Sequence, residues 1–283
     1  MSRPVSLHLL RVGACRHLEC MAARGGRWSP VAFPALCGLI HHPVRGWMLY
    51  DTGYAEHFQH ATNTWPEKLY RTALPHELPA NEVLATQLAQ LGLRPADIST
   101  VIVSHFHGDH IAGLRDFPNA RFIALRADTR RLAALAQQRW RATLQGFLPG
   151  LLPPDFFARL QDADACPVRA LPDWLAPFET GLDILGDGSL LGVPLPGHSH
   201  GQLGLFMPDA NGRPAFLVAD ACWSLPALRE GRMPSRLALF ITAERERFAR
   251  TFSDLGTLAR REPAVALLPS HCTVAWEGFQ RAL

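Results

Sequence analysis

Apolar residues along this chain come in short blocks separated by polar, Gly and Pro punctuation, and the period within each block predicts its element. Near the start, "VSLHLLRVG", "ALCGLIHH" and "WMLYDTG" have the length and Val, Ile and Leu content of strands, with the loop-like stretch "AARGGRWSPVAFP" between the first two. After a Pro-containing connection over 54–80, the residues Val83, Leu84, Leu88 and Leu91 recur at helical spacing. Asn81 is placed to cap that helix and Gly92 to end it. "TVIVSH" reads as a buried strand and "ARFIAL" as the next. The stretch 126–145, "RADTRRLAALAQQRWRATLQ", predicts one long amphipathic helix with its arginines on the solvated side, followed by the apolar segment "GFLPGLLPPDFFARL". "GLDIL", "LLGVPLPGHSHGQLGLFMP" and "AFLVADACW" are strand candidates, "ERERFARTFSDLGTLARRE" a helix and "AVALLPSH" a final strand. Each half runs strands first and then a helix before a His-bearing strand end. That order favours two α/β layers face to face over a doubly wound sheet.

Composition narrows the class. With 283 residues, 48% of them hydrophobic, the chain can bury a sizeable core, and one domain over 1–283 is expected. The net charge of +3 is carried by scattered arginines, with Lys68 the only lysine, so no basic stripe for nucleic acid is expected. No run of about 18 apolar residues predicts a membrane span, and the N-terminus lacks a signal-peptide pattern, so the expected location is the cytoplasm. The six cysteines form no CxxC pair, and buried free thiols are the expectation.

The chemistry concentrates in "SHFHGDHIAGL", residues 104–114, directly after the predicted strand "TVIVSH". Alternate side chains leaving a strand face the same way, so His105, His107 and Asp109 can converge, with His110 opening the next turn. Imidazole and carboxylate are favoured ligands for zinc and similar cations. His198, Asp220 and His271 each follow another apolar, strand-like run. Strand C-terminal ends tend to share one edge in α/β folds, so all these groups can meet there.

This order, HxHxDH, then His198, Asp220 and His271, with "LYDTG" upstream, resembles the metallo-β-lactamase superfamily over roughly residues 5–275. The resemblance implies a four-layer αββα sandwich, here with a helical insertion around 126–165. It implies two divalent ions, zinc first, with iron or manganese as substitutes. His105, His107 and His198 would hold one ion and Asp109, His110 and His271 the other. Asp220 would bridge them, and Asp51 would support the histidine loop. Asp109 and Asp220 are the carboxylates expected to take part in catalysis. Such a pair of ions supplies a bridging hydroxide as nucleophile, so no serine nucleophile is required. Flavodiiron oxidoreductases of the same superfamily carry Glu where His107 stands, which points this chain to hydrolysis.

The stretch 83–114 looks most like the N-acyl-homoserine lactonase branch, and the expected substrate is a small lactone or carboxylic ester with an apolar group. Those lactonases carry Tyr three residues after the bridging Asp, where this chain has Trp223. Phosphodiester cleavage, as in ribonuclease Z, thioester cleavage, as in glyoxalase II relatives, and a low-turnover regulatory role are the alternatives. Trp28, Phe147, Phe156 and Trp223 are expected to line an apolar pocket over the metals. No membrane partner is expected, and a homodimer is compatible with the sequence.

Overall fold

A computed structural model describes residues 5–208 and 214–282. Thirteen strands are described, in two sheets. β1 (Ser6–Leu18), β2 (Pro30–His42), β3 (Gly46–Tyr50), β4 (His76–Glu77), β5 (Ile98–Ile102), β6 (Arg121–Ala124) and β7 (Leu160–Asp162) form the first, in the order β4-β1-β2-β3-β5-β6-β7. β8 (Val168–Ala170), β9 (Thr180–Asp183), β10 (Leu191–Pro194), β11 (Leu203–Pro208), β12 (Pro214–Ala219) and β13 (Ala266–Pro269) form the second, in the order β13-β12-β11-β10-β9-β8.

Strands of the first sheet are apolar on both faces, as a sheet covered on both sides requires. Along β3, Met48 and Tyr50 join the core that also holds Leu203, Leu205 and Leu217 of the second sheet. Trp47 and Leu49 face the other way, into a core shared with Phe58, Leu88, Ile111 and Phe156 from the helices and turns that cover the sheet. The Arg245–Arg261 helix buries Phe248, Phe252 and Leu255 with the second sheet. The result is helices, sheet, sheet, helices, as expected. The sheets are also stitched by hydrogen bonds: the Tyr50 hydroxyl donates to the Leu203 carbonyl at 2.7 Å, and Leu203 N donates to the Ser104 carbonyl at 2.8 Å.

Local readings needed three corrections. The helix after the Pro-containing connection spans Leu84–Gln90 with Val83 as its N-cap, because Asn81 lies in a separate 3-10 turn, Ala80–Glu82. The long helix over 126–145 is two helices, Arg126–Leu135 and Arg139–Leu144, broken where Gln138 leaves helical geometry at φ −114° and ψ 59°. A last helix, Thr273–Arg281, follows β13 where the reading ended on a strand. All six cysteines are free. No described helix is long and apolar enough to cross a membrane.

One irregularity in β1 decides which way its second half faces. Arg11 pairs with Leu36 but Ala14 with Pro34, so β1 carries one extra residue at a bulge around Gly13. Gly13 is at φ +81°, and a Cβ there would stand 2.7 Å from the Glu77 carbonyl oxygen, so only glycine fits. An extra residue reverses the alternation of faces. Leu7 and Leu9, before the bulge, face the second sheet; Cys15, after it, belongs to the opposite core.

Candidate active site

β3 and β5 are parallel, as are β12 and β13, and β10 runs in the same direction as β12 through the antiparallel pairs with β11. Asp51, the 105–110 segment, His198, Asp220 and His271 therefore leave their strands at one edge. All of them are buried. Among the described residues two non-glycines have positive φ, Asp51 at 61° and Ala219 at 46°, and they lie at or next to the two carboxylates this edge depends on. Strained backbone of this kind persists where surrounding structure holds it.

Asp51 organises the histidine loop. Its Oδ1 accepts from Ser104 N at 2.8 Å, and its Oδ2 accepts from the Ser104 hydroxyl at 2.7 Å and from His110 Nδ1 at 2.8 Å. The Ser104 hydroxyl in turn accepts from His105 Nδ1 at 3.0 Å. On the other side, His271 Nδ1 donates to the Pro34 carbonyl at 2.7 Å. With these protons on Nδ1, the Nε2 lone pairs of His105, His110 and His271 are left facing inward, the arrangement of metal-ligating imidazoles.

What they face is a set of other acceptors. His105 Nε2 and His198 Nε2 stand 3.1 and 2.9 Å from His107 Nδ1. Asp220 Oδ2 lies 3.3 Å from His198 Nε2 and 3.2 Å from His271 Nε2, so its carboxylate sits between the two groups. Asp109 Oδ2 is 3.4 Å from His271 Nε2. His110 Nε2 and Asp220 Oδ1 are buried, 3.3 Å apart and without a hydrogen bond among the described residues. The ligand atoms fall into His105/His107/His198, His105/His110/Asp220 and Asp109/His110/His271, each within 4.8 Å. Tetrahedral coordination at zinc–nitrogen lengths puts ligand atoms about 3.3 Å apart. These distances and the orphaned buried atoms fit divalent cations.

The charge balance divides the cluster. Burial, reinforced by neighbouring histidines, holds His105 well below the usual imidazole pKa, and burial takes His198 down to about 3 and lowers His107. Burial opposes charge at His110 and His271 too, but Asp220, with Asp51 and Asp109 at His110 and with Asp109 at His271, outweighs it and raises both. Asp220 is held well below the carboxylate range: burial opposes its charge, but His271, His110 and His198 outweigh that.

A cavity of about 320 Å³ opens over this cluster, with His107, Asp109, His198, Asp220 and His271 at its floor. Its walls are mainly apolar and include Phe33, Leu69, Leu74, Leu144 and Ile241. Trp223 lines it as expected, but its Nε1 donates to Asp220 Oδ2 at 3.1 Å, so its one donor is directed at the carboxylate. The other three expected pocket residues do not line it. Trp28 is 84% exposed on the loop before β2. Phe156 is fully buried, stacked on Phe122 with centroids 5.1 Å apart. Phe147 is buried behind His107, joined to it by a backbone bridge. Gly146, next to it, lies against the His107 ring at φ +77°.

Sequence reading passed over Tyr70, whose hydroxyl donates to Asp109 Oδ1 at 3.2 Å. It comes from the Lys68–Ala73 helix, inside a connection with no periodic pattern to flag it. Arg139 fastens that helix to the Arg139–Leu144 helix, donating to Glu67 at 2.7 and 2.9 Å and to the Trp65 carbonyl at 2.9 Å. The stretch "GHSHG", 197–201, has the spacing of a serine nucleophile elbow, but it is a loop leading into β11 with no helix after it, and Ser199 is buried.

Imidazoles and carboxylates gathered at one edge of an αββα sandwich, under a substrate-sized cavity, define a metallohydrolase. The chain belongs to the metallo-beta-lactamase superfamily, whose family model matches residues 30–212. It is 29% identical over 205 residues to the N-acyl homoserine lactonase AttM of Azorhizobium caulinodans, a match covering 71% of this chain and 68% of that protein. In fold it is similar to a B. thuringiensis AiiA mutant crystallised with N-decanoyl-L-homoserine at the active site, with TM-score 0.69 and 18% identity over 98% of this chain and 97% of that one. It is also similar to AidC, a dizinc quorum-quenching lactonase, with TM-score 0.63 and 14% identity over 96% and 89% of the two chains. The chain is a metal-dependent hydrolase with lactonase-like sequence.

Proposed function

We propose that the protein hydrolyses a lactone or related carboxylic ester bearing an apolar acyl arm, using two divalent ions, zinc first. His105, His107 and His198 hold one ion, and Asp109, His110 and His271 the other, with Asp220 shared between them. When bound, such ions supply Lewis acidity toward the scissile carbonyl and a hydroxide at neutral pH. The remaining work falls to the chain. Asp51 and Ser104 fix the ring tautomers, and Trp223 and Tyr70 hold the carboxylates of Asp220 and Asp109 in orientation. Water adds to the carbonyl carbon, the ester C–O bond breaks, and Asp109 at the cavity floor carries the proton from water to the leaving oxygen. Apolar walls take the acyl arm and exclude bulk water.

The observation that carries this reading is the cavity itself: a floor of imidazole and carboxylate under mainly apolar walls that hold no lysine or arginine. A phosphodiester substrate would call for cationic walls. The test is metal analysis of the purified protein with a turnover screen over lactones, esters, thioesters and phosphodiesters. About two ions per chain and turnover of a lactone or carboxylic ester, lost in Asp220→Ala, are expected. Turnover confined to phosphodiesters or thioesters refutes the substrate class.

A further inference from the structure

Three of the five candidate ligand imidazoles are fixed through the ring, His105 by Ser104, His110 by Asp51 and His271 by the Pro34 carbonyl. His107 has Gly146 against its ring. His198 is different: its Nδ1 is buried without a hydrogen bond among the described residues, and Trp223 meets its ring only edge-on, at a centroid distance of 5.7 Å. Its orientation must come from the loop that carries it.

That loop, between β10 and β11, is gripped from two sides. On one, Ala243 N and Glu244 N donate to the carbonyls of His198 and Gly197, both at 2.9 Å. On the other stands Asp128. β6 runs parallel to β5, so the Arg126–Leu135 helix that follows it begins at the ligand edge, with Asp128 in its first turn. Asp128 is fully buried, and its Oδ1 accepts from Gly201 N at 2.8 Å. The approach is close: a Cβ on Gly201 would stand 2.8 Å from Asp128 N and 3.2 Å from the Ala127 Cβ. Burial raises the Asp128 pKa, and Ser199, Gly201 and His200, all of this loop, pull it back. Its Oδ2 and the Ser199 hydroxyl are buried without a hydrogen bond among the described residues. Enclosing a carboxylate with so few partners is costly, and an acid kept there calls for a role. Asp128 is not among the candidate ligands and does not line the cavity.

We propose that Asp128 is the positioning residue of His198. By holding Gly201 it sets the His198 imidazole against His105 and His107, and so controls the affinity of that ion's site and not that of Asp109, His110 and His271. The inference rests on the ligand assignment proposed above.

Chelator competition on the purified protein, read as two zinc affinities, tests it. Asp128→Ala is expected to weaken one of the two ions about 10–100-fold and to leave the other within about twofold. Asp128→Asn keeps an oxygen for Gly201 N and should recover most of the loss. In a His198→Ala background, where the other site alone remains, Asp128→Ala should shift the remaining affinity less than about twofold, because two changes acting through one ligand do not add. A merely structural acid would lower the urea midpoint of the metal-free protein and leave both affinities as in the wild type, which overturns the proposal. An equal loss at both ions overturns it too. Should Asp128→Ala fail to fold, Gly201→Ala, whose Cβ drives the loop off Asp128, carries the same expectation and the same refutation. If His198→Ala itself leaves both affinities unchanged, the ligand assignment fails and the positioning role with it. If His198→Ala loses an ion while Asp128→Ala and Gly201→Ala weaken neither, the positioning role alone fails.

Discussion

Replacing Gly146 by Ala asks whether the loop after the Arg139–Leu144 helix sets the position of His107. The residue is at φ +77°, where a side chain costs about 1–2 kcal/mol. Its Cβ would stand 2.4 Å from His107 Cδ2 and 2.6 Å from Nε2, while ordinary contact begins at 3.4 Å, so ring or loop must give by about 1 Å. The other edge of the ring has no slack, because His107 Nδ1 already sits 2.9 and 3.1 Å from His198 and His105. Displacement of that size costs on the order of 100-fold in rate, and disturbance of a ligand's support about 10–100-fold in metal affinity. Competition with a graded chelator series gives the affinity, and urea midpoints with and without metal give the stability. Gly146→Ala should lose about 1–3 kcal/mol metal-free and more with metal present, because the metal's stabilisation shrinks with its affinity. Wild-type metal affinity and turnover within twofold would refute the claim that this glycine positions His107.

Arg139→Ala should cost only about 1 kcal/mol, since Arg139 is half exposed, yet raise KM several-fold because the Leu69 and Tyr70 wall loses its fastening; steady-state kinetics beside urea denaturation separates the two effects. Phe156→Ala should cost about 3–5 kcal/mol in urea denaturation and leave the ratio of long-acyl to short-acyl turnover unchanged, as expected of a core residue rather than a pocket residue. The metal-free protein should be most stable near pH 6.5, the ordinary imidazole value. Below it, the unfolded chain takes up protons that His105, His107 and His198, depressed in the native state, do not, so stability falls. Above it, His110 and His271, raised in the native state, keep protons the unfolded chain has released, and their contribution is lost as pH rises through their native values. Denaturant midpoints across pH after EDTA treatment check this; stability climbing steadily to pH 9 would refute it.

The cluster was legible because its residues obey strand logic: each leaves an apolar run at the end where parallel strands deliver their ligands. Asp51 was equally visible through the "DTG" turn after β3. The cavity was not legible. Phe147 and Phe156 have the composition of a pocket, but apolar side chains look alike in sequence whether they face a ligand or a core, and here one packs behind His107 and the other on Phe122. Tyr70 meets Asp109 across 39 positions of chain and Arg139 meets Glu67 across 72, separations at which no local pattern operates. That Cys15 and His17 face the cavity was hidden by a single extra residue in β1, which reverses the facing that period-two alternation assigns. Asn81 misled because a 3-10 turn intervenes before the helix.

The candidate ligands come from strand ends, whereas much of the cavity wall comes from the Lys68–Ala73 and Arg139–Leu144 helices, joined to each other through Arg139. Heritable change can therefore accumulate in those helices without passing through the candidate ligands. On the function proposed above, a lineage built on this plan can exchange one acyl preference for another in single steps, each step keeping its candidate ligands. A laboratory library confined to 69, 73, 74 and 140–144, sparing Tyr70 for its bond to Asp109, would explore the same route.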